Sequence, residues 1–431
     1  MDAVAYANHI AILEEELVCA LGCTEPIAVA YASALARAAL GEMPGHISVA
    51  CSGNIIKNVK SVTVPNSGGM RGIEAAATLG VVGGDETRAL EVLEAINDTH
   101  RETARRLVDN AYCSVDLAEN VPNLYVRAVV TAGIHIATAC IEDRHTNVVE
   151  LTRDGEDVVV GNIKAATTDT EETPTGANRN ALSLDSIWEF AHTVDIADVE
   201  PLISRQLELN EAISKEGLEN PWGARIGATL LATRPNDISC QARALAAAGS
   251  DARMSGCAMP VVINSGSGNQ GITCSMPVLA YARELGSSRE QLIRAVTLSN
   301  LVSVHVKWFI GELSAFCGAV SASCGAGAAI CFLRGGSFGQ FEATIVNTLA
   351  NVGGIVCDGA KPSCAAKISA AVDAAILGCD MALLDDNFLA GEGLVGRDAE
   401  ETIRSMGYVG RVGMHPTDVE ILNIMIGKTE V

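Results

Sequence analysis

From Leu313 to Leu333 the chain reads LSAFCGAVSASCGAGAAICFL, 21 residues without a charged side chain. A run of that length must be hidden from water, either across a bilayer or inside protein. Its three Gly, three Ser and three Cys keep its hydrophobicity modest. Uncharged runs full of small residues pack against other protein segments, so the expectation is a buried core segment.

The rest of the chain agrees with a tight, small-residue interior. Apolar residues make up 48% of the 431 positions but aromatic residues only 4%, so Ala, Val, Ile, Leu and Gly fill the core. The length suffices for two or three domains, or for one large domain with an insertion. A formal charge of -22 repels phosphate backbones and anionic lipid head groups, which argues against nucleic-acid and membrane partners. The opening MDAVAYANHIAILEEELVCALGCTEP lacks the basic start, apolar stretch and cleavage site of a secretory signal, so a cytoplasmic protein is expected. Its fourteen cysteines are then expected to be reduced, and clusters of them point to metal or catalysis before disulfides.

Ile10, Leu13, Leu17 and Ala20 fall at helical spacing, and a second helix is expected from Pro26 to Leu40. From His46 to Val64 and from Tyr112 to Val160 the pattern turns to short β-branched runs with turn signals, separated by helical stretches around 70–82 and 86–109. Beyond the polar, aperiodic stretch 164–181, which reads as a linker, helical patterns recur to the end of the chain. The expected fold class is α+β: a mainly helical catalytic domain, residues 1–43 and 165–431, carrying an inserted α+β domain, residues 44–164, with an antiparallel sheet.

Cys317, Cys357 and Cys364 form a C-x39-C-x6-C pattern with Gly beside or near each thiol. Several thiolates approaching one small inorganic centre need such surroundings, because Gly lets the backbone close in and donate N–H groups to sulfur. The spacing alone leaves a metal site and buried small hydrophobes both open, and the second reading is preferred for Cys19, Cys51, Cys113, Cys140, Cys331 and Cys379. The segments FCGAV, GGIVCDGAKPSC, VINSGSGNQGI and GCTEP together resemble the iron-sulfur-dependent L-cysteine desulfidases, relatives of the L-serine dehydratase α-chain family. The likeness to desulfidases spans essentially the whole chain, and that to serine dehydratases is clear from roughly residue 180 onward.

That resemblance implies a 4Fe-4S cluster held by Cys317, Cys357 and Cys364, and Cys23 as the catalytic residue. Three thiolates on four irons leave one iron open as a Lewis acid, suited to the soft thiolate of cysteine. The implied reaction is a pyridoxal-phosphate-independent α,β-elimination of L-cysteine to sulfide, ammonia and pyruvate. Serine dehydratases tend to carry Gln-Gly-Glu after the first cluster cysteine, where this chain has Gly318, Ala319 and Val320, which weakens serine as the substrate. Cys23, just ahead of Pro26, is expected at a helix start, where partial positive charge favours thiolate unless Glu25 points inward.

Gly266, Gly268 and Gly271 satisfy G-x-G-x-x-G after a strand-like VVIN, but the chain continues as helix where a second strand is required, so a dinucleotide is not expected. Ser265, Gly266, Gly268, Asn269 and Gln270 are read instead as a cradle for an amino-acid carboxylate at a helix start. The segments at 52–54 and 65–72 offer Asn54 and Arg71 as further substrate contacts, Arg71 to the carboxylate, with a plain tight turn the alternative for each. His305 and Lys307 fit either a substrate-side role or a core His and a solvated Lys, and Asp358 either a group supporting Cys357 or a surface charge. The expected partner is a small-molecule amino acid, with a homodimer left open. Two alternatives stand beside the desulfidase: an L-serine dehydratase, and a non-enzymatic protein in which Cys23, Cys317, Cys357 and Cys364 close a structural zinc site.

Overall fold

Polar side chains start most of the elements. In the computed structural model, which describes residues 1–166, 177–311 and 313–429, Asp2 accepts the Ala5 N–H and opens α1 (Ala3–Glu16). A three-residue strand β1 (Cys19–Leu21) leads to α2 (Thr24–Leu40), which Cys23 precedes as the capping residue. Then come β2 (His46–Cys51), α3 (Gly53–Val59), α4 (Ile73–Gly83), α5 (Asp98–Asp109), β3 (Cys113–Leu117), β4 (Tyr125–Ala132), β5 (His135–Glu142), β6 (Val148–Arg153) and β7 (Glu156–Asp157).

The strands β2 to β7 form one six-stranded sheet in the order β3-β2-β4-β5-β6-β7. Every pair is antiparallel except β2 with β3, so the expected antiparallel sheet is mixed at one edge. The exception follows from connectivity, because α3, α4 and α5 intervene between those two strands and allow a crossover. Period-two burial of Val126, Ala128 and Val130 gives β4 one inward face, and α2 packs on β4 and β5 while α4 packs against α2 and against β2 and β3.

The helical part comprises α6 (Leu184–Thr193), α7 (Ile196–Glu219), α8 (Ile226–Thr233), α9 (Ile238–Met254), the short strand β8 (Pro260–Val262), α10 (Gly268–Glu284), α11 (Arg289–Ile310), α12 (Gly318–Leu333), α13 (Phe338–Val352), α14 (Cys364–Leu383), α15 (Ala399–Tyr408) and α16 (His415–Met425). Reciprocal capping boxes at Ser183, Ser288 and Ser337 fix the starts of α6, α11 and α13. The charge-free run is the central helix α12, surrounded by α10, α11, α13 and α14 and buried from Ala319 to Cys331. Among the described residues no helix is long and apolar enough to cross a membrane.

The fold is α+β, as expected, and most of its buried apolar residues form one core from the sheet through the helices, with Cys23, Val62 and Met254 in a separate small cluster. Residues 167–176 of the expected linker lie outside the described residues. The strand before the glycine motif, β8, pairs antiparallel with β1 in a separate two-stranded sheet, Cys19 opposite Val262 and Leu21 opposite Pro260. The motif is therefore no part of a parallel βαβ unit, and the pairing sets the start of α2 beside the loop at 264–267.

Candidate active site

Two short extended segments bring the first pair of cysteines together. Phe316 and Val356 form an antiparallel bridge, in which the Cys317 N–H donates to the Ile355 carbonyl at 2.9 Å and the Cys357 N–H to the Ala315 carbonyl at 2.6 Å. Residues 317 and 357 flank the bridge on the same side, and their thiols share a hydrogen bond. The third, Cys364, is the first residue of α14, set there by the turn in which its N–H reaches the Lys361 carbonyl at 2.9 Å.

The backbone N–H groups of Ala319, Gly359 and Lys361 lie near the sulfurs of Cys317, Cys357 and Cys364 respectively and favour their thiolate forms. Gly359 has φ +96°, and a Cβ there would lie 2.4 Å from the Lys57 carbonyl oxygen, so the loop carrying Cys357 closes only because that residue is Gly. Within the pair, the Cys317 hydrogen bond pulls Cys357 well below the ordinary thiol value against the cost of burial, with Lys57 and Lys367 assisting. Cys317 moves up in turn, through the bond to Cys357 and through burial, so the proton resides on Cys317. Burial raises Cys364. Asp358 is occupied by Lys361 and Lys367, whose bonds outweigh burial and hold its carboxyl down at about 2.

The three thiols line one cavity of about 360 Å³, and Cys23 lines it too. Cys23 stands ahead of the first turn of α2, where a helix start was expected, but its charge state differs from that expectation. Glu25 turns inward and accepts the Cys23 S–H at 3.0 Å; Asn58 Nδ2 holds the other Glu25 oxygen at 3.2 Å. Complete burial, then the Glu25 charge, push the Cys23 thiol well above its ordinary value, outweighing the helix start. The resting group is a thiol bonded to a carboxylate.

The loop before α10 forms the facing wall. Thr24 Oγ1 donates to the Gly266 carbonyl at 2.9 Å, tying the loop to the start of α2. Beneath it the buried amides of Asn264 and Asn300 bond at 2.9 Å, Asn300 reaches Gln206 at 2.7 Å, and Ser303 donates to Asn264 at 3.0 Å. This satisfied network fixes the loop with φ +48° at Ser265. Gln270 lines the cavity, receives the Ser321 hydroxyl at 3.1 Å, and fills the space where a side chain on Gly318 would stand, a Cβ there lying 2.7 Å from its Cδ.

Of the residues singled out from sequence, Cys23, Cys317, Cys357, Cys364, Ser265, Gly266, Asn269, Gln270 and Lys307 line this cavity. Lys307 donates to the Gly311 carbonyl at 2.5 Å. Gly268 supports the wall as the first residue of α10. Asn54 and Arg71 do not line it: Asn54 sits in α3 and Arg71 is exposed beside a bridge to Thr63, so the carboxylate role read for Arg71 is not served by its position. His305 is also elsewhere, bonded through Nε2 to Glu400 at 2.9 Å.

Arg253 and His145 are among the cavity residues that had no sequence signal. Arg253, near the end of α9, is 2% exposed, and His145, in the turn between β5 and β6, is 9% exposed with Nε2 unpartnered among the described residues. Burial holds both below their usual ranges. Arg253 lies in an ordinary helical pattern and His145 in an ordinary turn, and only tertiary packing reveals either.

The donor set suits a thiolate-held inorganic cluster: three sulfurs line one cavity, backbone N–H groups near each favour the thiolate, and the charges of Lys57 and Lys367 favour it at Cys357. All fourteen cysteines are free. Among the described residues no three or more His, Cys, Asp or Glu stand close enough to hold a single metal ion.

A model of the family described as serine dehydratase alpha chain matches residues 87–423, a span that begins well before residue 180 and includes most of the sheet. A UPF0597 protein of Finegoldia magna is 47% identical over 422 residues, 98% of this chain and 100% of its own length. One of Desulfitobacterium hafniense is 46% identical, covering 98% of this chain and 97% of its own. One of Treponema denticola is 42% identical, covering 99% of each.

Proposed function

The chain belongs to the serine dehydratase alpha chain family, and from that premise we propose that it is a lyase that converts L-cysteine and water to sulfide, ammonia and pyruvate. One observation carries the reading: Cys317, Cys357 and Cys364 line one cavity, which Cys23 also lines. In this proposal those three thiols hold a 4Fe-4S cluster, and the chemistry it supplies when bound is Lewis-acid activation of the leaving group at an iron without a protein thiolate.

The chain's own groups handle protons and position. Glu25 takes the Cys23 S–H proton along the existing bond, and the resulting thiolate, a strong base in its buried setting, takes the substrate α-hydrogen. Asn58 keeps Glu25 oriented, and Thr24 keeps the facing loop at contact distance. Ser265, Asn269, Gln270 and Lys307 are the proposed substrate-side polar groups. Loss of the β-sulfur leaves aminoacrylate, which tautomerises and hydrolyses to pyruvate and ammonia. The substrate is proposed to be a free amino acid, and the reduced thiols suit a reducing cytoplasm.

L-Serine dehydration is the second reading, favoured by the description of the matching family. Anaerobically prepared protein is given each amino acid in turn. Sulfide and pyruvate in equal amounts from L-cysteine, with less pyruvate from L-serine, is the expected result. Pyruvate from L-serine alone selects the second reading, and no product from either overturns the lyase.

A further inference from the structure

The cavity holds a buried cation that the reaction outlined above does not use. Arg253 Nη1 donates to Asn269 Oδ1 at 3.1 Å, while Nε and Nη2 have no partner among the described residues. These two donors make up the side-on edge of a guanidinium, the edge that grips both oxygens of a carboxylate in parallel. The group is seated deliberately: a Cβ on Gly268 would lie 2.3 Å from Arg253 Nε, so the second glycine of the G-x-G motif makes room for the guanidinium. Glu25, the carboxylate whose field reaches Arg253, is already engaged by Cys23 and Asn58. Arg253 lines the cavity while these two donors are closed to water, and a buried cation with two idle donors is costly to the free protein and is compensated when an anionic ligand reaches them.

We propose that Arg253 is the receptor for the α-carboxylate of the substrate, gripping it through Nε and Nη2 while Asn269 holds Nη1. The inference rests on the lyase reading for the substrate's identity and names its class: α-amino acids with small side chains. The cavity, about 360 Å³, also presents the Glu25 carboxylate, and a cation with an anion on one small wall matches a zwitterion better than a dianion such as phosphate. The motif residues Gly268 and Asn269 then act mainly by seating and steering the guanidinium.

The test uses full-length wild type, R253K and R253M, with two readouts. The first is the rise in melting temperature caused by L-alanine, which has no leaving group, against ethylamine, which lacks the carboxylate. Wild type is expected to be raised by L-alanine and not by ethylamine, R253M by neither, and R253K by less than wild type. The second is sulfide release from L-cysteine, where R253M is expected to lose roughly 10- to 150-fold in kcat/KM, chiefly through KM. R253K guards against misfolding of R253M, because it keeps the charge and loses only the fork. If wild type is stabilised by L-alanine but releases no sulfide, the lyase reading fails while loss of that stabilisation in R253M still supports the receptor. An L-alanine shift or a KM unchanged in both variants overturns the receptor, as does a wild type that L-alanine does not stabilise.

Discussion

A thiol's chemistry is set by what faces its sulfur, and the cysteines of this cavity illustrate two opposite settings. Cys357 is drawn toward thiolate by a hydrogen bond from Cys317 and by Lys57, whereas Cys23 is kept as a thiol by burial and by Glu25. The first suits ligation and the second suits a base released only when Glu25 takes its proton. Cys23→Ala is therefore expected to keep the visible absorbance of the cluster and lose turnover by about 100-fold or more, measured by spectrum and sulfide release on one preparation; loss of both makes Cys23 a ligand. Glu25→Gln, which leaves Cys23 without its proton acceptor, is expected to lower turnover comparably with the absorbance intact. The cysteines and the polar loop were readable from sequence because each is chemically unusual in its local pattern. Arg253 was not, because its meaning lies in two unpaired donors that only the folded wall defines, and Arg71 took its place in the sequence reading only because it sits in a Gly-rich turn.

At the scale of elements, the site depends on where helices begin. Cys23, Cys317 and Cys364 all stand at the starts of helices, α2, α12 and α14, while Cys357 sits in the bridge that pairs with the entry to α12. Gly359→Ala places a Cβ against the Lys57 carbonyl at φ +96° and is expected to displace Cys357, lowering bound iron per chain by half or more while the helical circular-dichroism signal stays near wild type. Iron content equal to wild type would show that the loop yields without moving the sulfur. A second contact joins α11 to α15, where Glu400 accepts from His305 Nε2 and from the Leu184 N–H at 2.9 Å each. Burial raises this carboxyl, but the His305 bond and charge and the Leu184 N–H prevail and hold it below its ordinary value. A depressed carboxylate stabilises the fold above the ordinary value, about 4.3, and that contribution is lost as pH falls through the folded value. Glu400→Gln is expected to cost ~1–2 kcal/mol at pH 7 and progressively less below about pH 4, read as the difference in denaturant midpoint; a difference constant down to pH 3 would assign the effect to packing. Capped, periodic elements such as α11 and α13 were legible in advance. The short strands β1 and β8 were not, since three residues carry no period and their pairing is decided by tertiary contact.

At the scale of the whole molecule, the chain folds its two ends onto one cavity. Cys23 comes from near the N-terminus and the three other thiols from the last third of the chain, and the Lys57–Asp418 ion pair joins α3 to α16. The composition foretold a core of small residues, and α12 realises it at the centre of the helical part. The parallel pairing of β2 with β3 was not foretold, because register across a crossover is set by the helices that pack between the strands. The central claim is that the three thiols of the wall hold an inorganic cluster on which the lyase chemistry depends. Anaerobic purification followed by an absorption spectrum and iron and acid-labile sulfide analysis tests it most directly. The account predicts a coloured protein with about four irons and four sulfides per chain, reduced to near none when Cys317, Cys357 or Cys364 is replaced by Ala. A colourless protein carrying a single zinc, or iron content indifferent to those three replacements, would contradict it.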